Sequence, residues 1–82
     1  MYFVYVLYSL EYDKIYIGFT SDLKARLTGH NHPQNHGWTA RYQPWKLIYQ
    51  EEYGTKKEAM KREQQLKSAQ GRQFIKSLLP TE

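Results

Sequence analysis

Cysteine is absent from this chain of 82 residues, so no disulfide framework, CxxC redox pair or cysteine-based zinc site can form. Stability must come from packing alone. Only five Gly and three Pro occur, and neither a glycine-rich phosphate loop nor a GxSxG elbow is spelled. P-loop nucleotide hydrolysis and serine-hydrolase chemistry therefore lack their usual motifs. The longest apolar run, Met1 to Tyr8, is far short of the roughly 20 residues that a membrane span needs, and no basic segment precedes it. The expectation is a cytoplasmic protein with no membrane partner, built as a single domain over residues 1–82 without internal repeats.

Aromatic area is what the chain has in quantity. Eight Tyr, three Phe and two Trp make up 16% of the residues, and a domain this small, which buries only about 60% of its unfolded surface, needs such large side chains for a core. Charge is placed unevenly. Between Thr55 and Leu79 seven cations face two anions, whereas the rest of the chain holds five cations and six anions. The whole basic surplus thus lies in the C-terminal third, where it is either a polyanion-binding surface or a solvated helix face.

Hydrophobic periodicity sets the elements. Tyr2–Ser9 is aromatic and β-branched throughout, as in a strand buried on both faces, and Lys14–Thr20 alternates with Ile15, Ile17 and Phe19 on one face and Tyr16 and Gly18 on the other. A polar turn joins them into an antiparallel hairpin. Ser21 is the expected N-cap of a short helix over Asp22–Asn31. Residues 32–44 read as a long loop, and Trp45–Tyr53 as a third strand. Thr55-Lys56-Lys57-Glu58 matches a capping box that opens a second helix running toward Ser68. A third helix carries Phe74, Ile75, Leu78 and Leu79 on one stripe before Pro80 ends it. The predicted order is β-β-α-β-α-α, an α+β fold.

Some residues break this pattern. Glu63 falls on the inward stripe with Ala59 and Leu66, a costly place for a carboxylate unless it is paired, protonated or bound to a cation. A salt bridge at the stripe edge is the competing reading. Arg26 and His30 lie four apart on the first helix, where a guanidinium suits phosphate oxygens and an imidazole can move a proton near neutral pH. An exposed polar helix edge would look the same. Gly18 interrupts a strand, which often marks a close approach, and Tyr5 can sit beside Tyr16 across the hairpin. His30, His32 and His36 give an H-x-H-x3-H spacing, but without Cys or a carboxylate at ligand spacing zinc is set aside.

Taken in order, Tyr5 in the first strand, Tyr16-Ile17-Gly18 in the second, Arg26 with His30-Asn31 on the first helix and Glu63 on the second resemble the GIY-YIG endonuclease domain family. The likeness covers roughly Tyr2 to Leu79 and is strongest to the small stand-alone bacterial members, which are related to the N-terminal nuclease domain of the bacterial excision-repair endonuclease. The YIG half is intact, whereas the GIY half stands here as Val4-Tyr5-Val6.

The resemblance implies a GIY-YIG fold, a three-stranded antiparallel sheet flanked by helices, and metal-dependent hydrolysis of DNA in repair or recombination. Tyr5, Tyr16, Arg26, His30 and Glu63 are its implied catalytic residues, with one Mg²⁺ or Mn²⁺ held by Glu63. Arg26 would grip the scissile phosphate, and Tyr16 would orient or deprotonate the attacking water with a cation nearby to ease its ionisation. Lys56, Lys57, Lys61, Lys67, Arg72, Lys76, Arg41 and Trp38 are the candidate contacts to DNA, with RNA as an open alternative. Two further readings compete: a nucleic-acid-binding module on the same fold that cleaves weakly or not at all, and a partner-binding domain with an aromatic interface.

Overall fold

A computed structural model describes residues 1–35 and 37–79; His36 of the histidine series and Pro80, the expected helix stop, lie outside the described residues. Strand β1 spans Tyr2–Ser9 and β2 spans Lys14–Thr20; α1 runs Leu23–Asn31, β3 Lys46–Tyr53, α2 Lys56–Lys67 and α3 Ala69–Leu78. The element order β-β-α-β-α-α and the α+β class are those expected. All pairings are antiparallel in the order β2-β1-β3, so β1 is central.

Burial of β1 on both faces follows from its position. Val4 and Val6 point with Ile17 toward Ala59, Leu66 and Ile75 of α2 and α3. Tyr5 and Leu7 point the other way, toward Trp45, with Tyr16, Leu23 and Leu27 packed alongside. The period-2 alternation of a strand thus gives each layer its own half of β1. Along β3 the register shifts between Val6 and Leu7, which pair with Tyr49 and Leu47, so Ile48 is the additional residue of a bulge. At the hairpin turn Asp13 takes a left-handed conformation, φ 52°, and its carboxylate accepts a hydrogen bond from the Tyr8 hydroxyl at 2.9 Å.

Several local details depart from expectation. Asp22, not Ser21, caps α1: it is extended, and its carboxylate accepts from the Ala25 amide at 3.1 Å, three residues on. The capping box of α2 is half formed. Thr55 Oγ1 accepts from the Glu58 amide at 3.2 Å, but the Glu58 carboxylate takes the Thr55 hydroxyl proton at 2.9 Å instead of the Thr55 backbone amide. Strand β3 begins one residue after Trp45.

The expected loop over residues 32–44 contains a 3-10 helix at Trp38–Tyr42. Long-range hydrogen bonds hold it. The Trp45 indole donates to the Thr39 carbonyl at 2.7 Å, and the Gln43 amide donates to the His30 and His32 carbonyls at 2.7 and 2.8 Å. Asn31 grips the Trp45 backbone on both sides, accepting from its amide at 2.6 Å and donating to its carbonyl at 3.0 Å.

On the opposite layer Ser68 closes α2 and caps α3, where it accepts from the Gly71 amide at 3.2 Å. At Gly71 a Cβ would stand 2.3 Å from the Gln65 carbonyl oxygen and 2.4 Å from Leu66 Cα, so only glycine lets α3 cross the last turn of α2. Arg62 of α2 bonds Glu51 of β3 at 2.9 and 3.1 Å, and Tyr49 and Tyr53 donate to the same carboxylate. This ties α2 to the β3 edge.

Candidate active site

Tyr5 reaches the site from the central strand, with its side chain almost fully buried. Directly across the ladder stands Gly18. A Cβ at that position would lie 2.7 Å from the Tyr5 hydroxyl oxygen and 2.9 Å from Cζ, so the missing side chain is what allows the phenol to cross β2. Tyr16, two residues earlier on the same face, brings its ring to 6.1 Å from that of Tyr5.

From the last turn of α1, His30 lies over both rings, 4.6 Å from Tyr16 and 6.0 Å from Tyr5 between centroids. Its Nε2 is 3.0 Å from the Tyr5 hydroxyl and its Nδ1 is 3.1 Å from Thr39 Oγ1. Thr39 is buried in the 3-10 helix and also accepts from the Asn35 amide at 2.8 Å.

Burial and then the positive charge of Arg26 push His30 below its ordinary pKa of 6.5, so the ring is neutral at pH 7. A neutral imidazole has one N–H and one lone pair. One of Tyr5 and Thr39 therefore donates to the ring while the other accepts from it. The Tyr5 hydroxyl is held well above the usual tyrosine range, first by burial and then by Tyr16, with Arg26 opposing. It stays protonated at pH 7. Arg26 itself is exposed, one turn before His30, and lines a shallow groove with Thr20, Asp22 and Gly29.

The structure therefore brings Tyr5, Tyr16 and His30 into one cluster, with Arg26 close enough to act on both Tyr5 and His30. Glu63 stands apart from it. Its helix packs on the other sheet face; its side chain is 16% exposed, with an ion pair to Lys67 at 3.5 Å. The salt-bridge reading of Glu63 describes this contact. Among the described residues, no group of three His, Asp or Glu side chains is arranged to enclose a metal ion.

The two layers meet at the outer edge of β2. A groove of about 530 Å³ passes there, with Tyr16 and Trp38 contributed from one sheet face and Lys67, Arg72 and Ile75 from the other. Of the remaining basic candidates, Lys56, Lys57 and Lys61 are exposed on α2 and Lys76 on α3, and Arg41 is exposed beside Trp38. Thr39 is the site residue that the sequence does not disclose. A lone Thr in a Gly- and Pro-rich stretch carries no periodic or motif signal; only the long-range contact with His30 reveals it.

Residues 1–76 match the GIY-YIG catalytic domain. The chain belongs to the GIY-YIG family. The matched span includes β1 with Tyr5, β2 with Tyr16, α1 with Arg26 and His30, and α2 with Glu63. This GIY-YIG domain is 36% identical over 76 residues to a UPF0213 protein of Staphylococcus epidermidis, covering 93% of this chain and 92% of that one. A UPF0213 protein of Staphylococcus aureus is 39% identical over 66 residues, 80% of this chain and 79% of its own. The solution NMR structure of a UPF0213 protein from Bacillus halodurans superposes with a TM-score of 0.55 at 27% identity, covering 95% of this chain and 85% of the other. Membership in the GIY-YIG family sets the general class, a nuclease-type hydrolase domain.

Proposed function

We propose that this GIY-YIG domain is a metal-dependent endonuclease that hydrolyses DNA phosphodiester bonds, acting in the cytoplasm in DNA repair or recombination. Support comes chiefly from one observation, the hydrogen-bonded Tyr5–His30 pair packed beside Tyr16 with Arg26 on the same helix face. Such hydrolysis needs a positioned water, neutralisation of charge on the phosphorane and a way to move a proton. These side chains supply each.

In this account Arg26 grips two nonbridging oxygens of the scissile phosphate with its planar fork. Tyr16 directs its hydroxyl at the attacking water. Tyr5 is not the base, because burial keeps its phenol protonated; with Thr39 it fixes the neutral His30 ring against Tyr16, which is left to take the proton of the attacking water. Lys67 and Arg72 in the groove, with Lys56, Lys57, Lys61, Lys76 and Arg41 around it, hold flanking phosphates.

Glu63 is the residue that would hold Mg²⁺ or Mn²⁺. A single carboxylate paired with Lys67, which lines the β2-edge groove together with Tyr16, fits a hard cation that keeps several waters and completes its shell with substrate phosphate, and it does not fit a closed protein cage. Lys67, whose side chain is half exposed, is free to give up its place beside Glu63. When bound, the ion supplies positive charge for the phosphate and the departing 3′ oxygen.

The Glu63–Lys67 pair also favours a second reading, a nucleic-acid-binding module that cleaves weakly or not at all. Nicking of supercoiled plasmid in Mg²⁺ or Mn²⁺, run beside a gel shift in EDTA, separates the two. Metal-dependent nicking selects the endonuclease; salt-sensitive binding without nicking selects the module.

A further inference from the structure

The 3-10 helix leaves Trp38 48% exposed, while Trp45, its neighbour in space, is buried. The two indoles lie 5.8 Å apart between centroids, and Trp38 also meets Tyr42 at 4.9 Å and Tyr16 at 6.3 Å. Three rings thus anchor an indole that keeps about half its surface in solvent. Tyr12, equally open at 47%, extends the patch through an edge contact with Tyr42 at 5.5 Å. Core demand does not explain this arrangement, since Trp45 already fills the layer; an exposed aromatic patch of this kind marks an interaction site.

Four cations lie around the patch, with Asp13 as the carboxylate that shares the β2-edge groove. The Lys14 ammonium stands 5.5 Å from the centre of the Tyr42 ring. Arg41 lines the hollow on one flank of Trp38, and Lys67 and Arg72 share the β2-edge groove with Trp38 and Tyr16 on the other. Flat apolar rings with positive charge around them complement a strand that alternates bases and phosphates. A continuous duplex does not fit as well. Each of its bases is covered above and below by its neighbours, so no π-face is free for an indole unless a base is extruded at an energetic cost.

We propose that Trp38 stacks on an unpaired base next to the phosphate engaged at Tyr16, so that the substrate class is single-stranded DNA or the unpaired segment of a branched duplex. The proposal rests on the nuclease reading for the chemistry it serves, but the stacking itself is measurable without cleavage. Because every base presents a π-face, the selection is for strandedness and not for sequence.

The test is binding of short fluorescein-labelled oligonucleotides to the full chain in EDTA, by fluorescence anisotropy, with single-stranded DNA, blunt duplex DNA and single-stranded RNA of one length. Three proteins are compared: wild type, Trp38→Leu and Trp38→Phe. Leucine keeps apolar contact with Tyr42 and Trp45 without a π-face, and phenylalanine keeps the face; unchanged melting shows that both are folded. Wild type is expected to bind single-stranded DNA roughly tenfold tighter than duplex. Trp38→Leu should lose roughly tenfold on the single strand and little on the duplex, while Trp38→Phe stays near wild type. Equal affinity for single strand and duplex, equal losses on both in Trp38→Leu, or no binding to either overturns the proposal. RNA bound well above DNA overturns the choice of DNA. Plasmid nicking measured in parallel keeps the two readings apart: Trp38-dependent single-strand binding without nicking removes the nuclease reading alone, and nicking without that preference removes this one alone.

Discussion

The hydroxyl of Tyr5 and Nε2 of His30 lie 3.0 Å apart, although 25 positions separate them in the chain. One belongs to the central strand and the other to the last turn of α1, so the bond joins the sheet to the helical layer at the site itself. Both groups are buried and both are neutral at pH 7, which makes the pair a fixed hydrogen-bonding unit and not an ion pair.

Gly18 makes that unit possible. In Gly18→Ala the new methyl carbon meets the Tyr5 hydroxyl at 2.7 Å, and the buried phenol has little room to yield. We expect a loss of roughly 1–3 kcal/mol in stability from overpacking, with cleavage falling by more than the folded fraction explains. Urea unfolding and a cleavage rate measured on the same preparation check this; wild-type values for both would show that Tyr5 moves freely.

Stability should depend on His30 in mildly acidic solution. Its folded pKa lies below the ordinary 6.5, so under pH 6.5 the unfolded chain binds a proton that the folded chain resists. The stabilisation is fully present above pH 6.5 and is lost as pH falls through the window between 6.5 and the lower folded value. Melting temperature should therefore drop from pH 7 toward pH 5, and His30→Gln should flatten that drop. Identical slopes for the two proteins would exclude His30 as its source.

Thr39 positions the imidazole. Thr39→Val keeps the shape but leaves His30 Nδ1 and one Asn35 bond without their partner, a loss of roughly 1–3 kcal/mol for buried polar groups. Turnover should fall with it, and Thr39→Ser should restore both. A valine protein with normal melting and normal pH dependence of cleavage would remove Thr39 from the site.

Arg26 is asked to do more than carry charge. Lysine keeps the charge without the fork, so Arg26→Lys should lower single-turnover cleavage by about a hundredfold to a thousandfold at matched DNA occupancy. Because Arg26 is exposed, melting should barely change. Equal rates would return Arg26 to an ordinary surface residue.

Legibility in the sequence follows the range of the interactions involved. The three strands and the burial of β1 on both faces are written in short-range pattern, and the structure repeats them; Gly18 signals a close approach of a ligand or another backbone, and the structure puts the Tyr5 phenol there instead. The cap of α1 differs from expectation by one residue because Ser21 and Asp22 are both good caps, and only backbone dihedrals decide which one reaches the Ala25 amide. The 3-10 helix, Thr39 and the crossing at Gly71 are not legible. Each depends on partners far away or on another helix, Trp45 and His30 in one layer and Leu66 in the other. Arg26, His30 and Glu63 stand out one by one, but their spacing cannot say that α2 packs on the opposite face from Tyr16 or that the β2 edge is where the layers meet.

The most direct test is the cleavage rate of Glu63→Gln under single-turnover conditions at saturating Mn²⁺, beside wild type. Glutamine keeps the size of the side chain at the edge of the α2 stripe but gives up the charge that would hold the ion, so melting should stay close to wild type. The account predicts cleavage reduced by at least about a hundredfold. Cleavage at the wild-type rate, with metal still required, would contradict it.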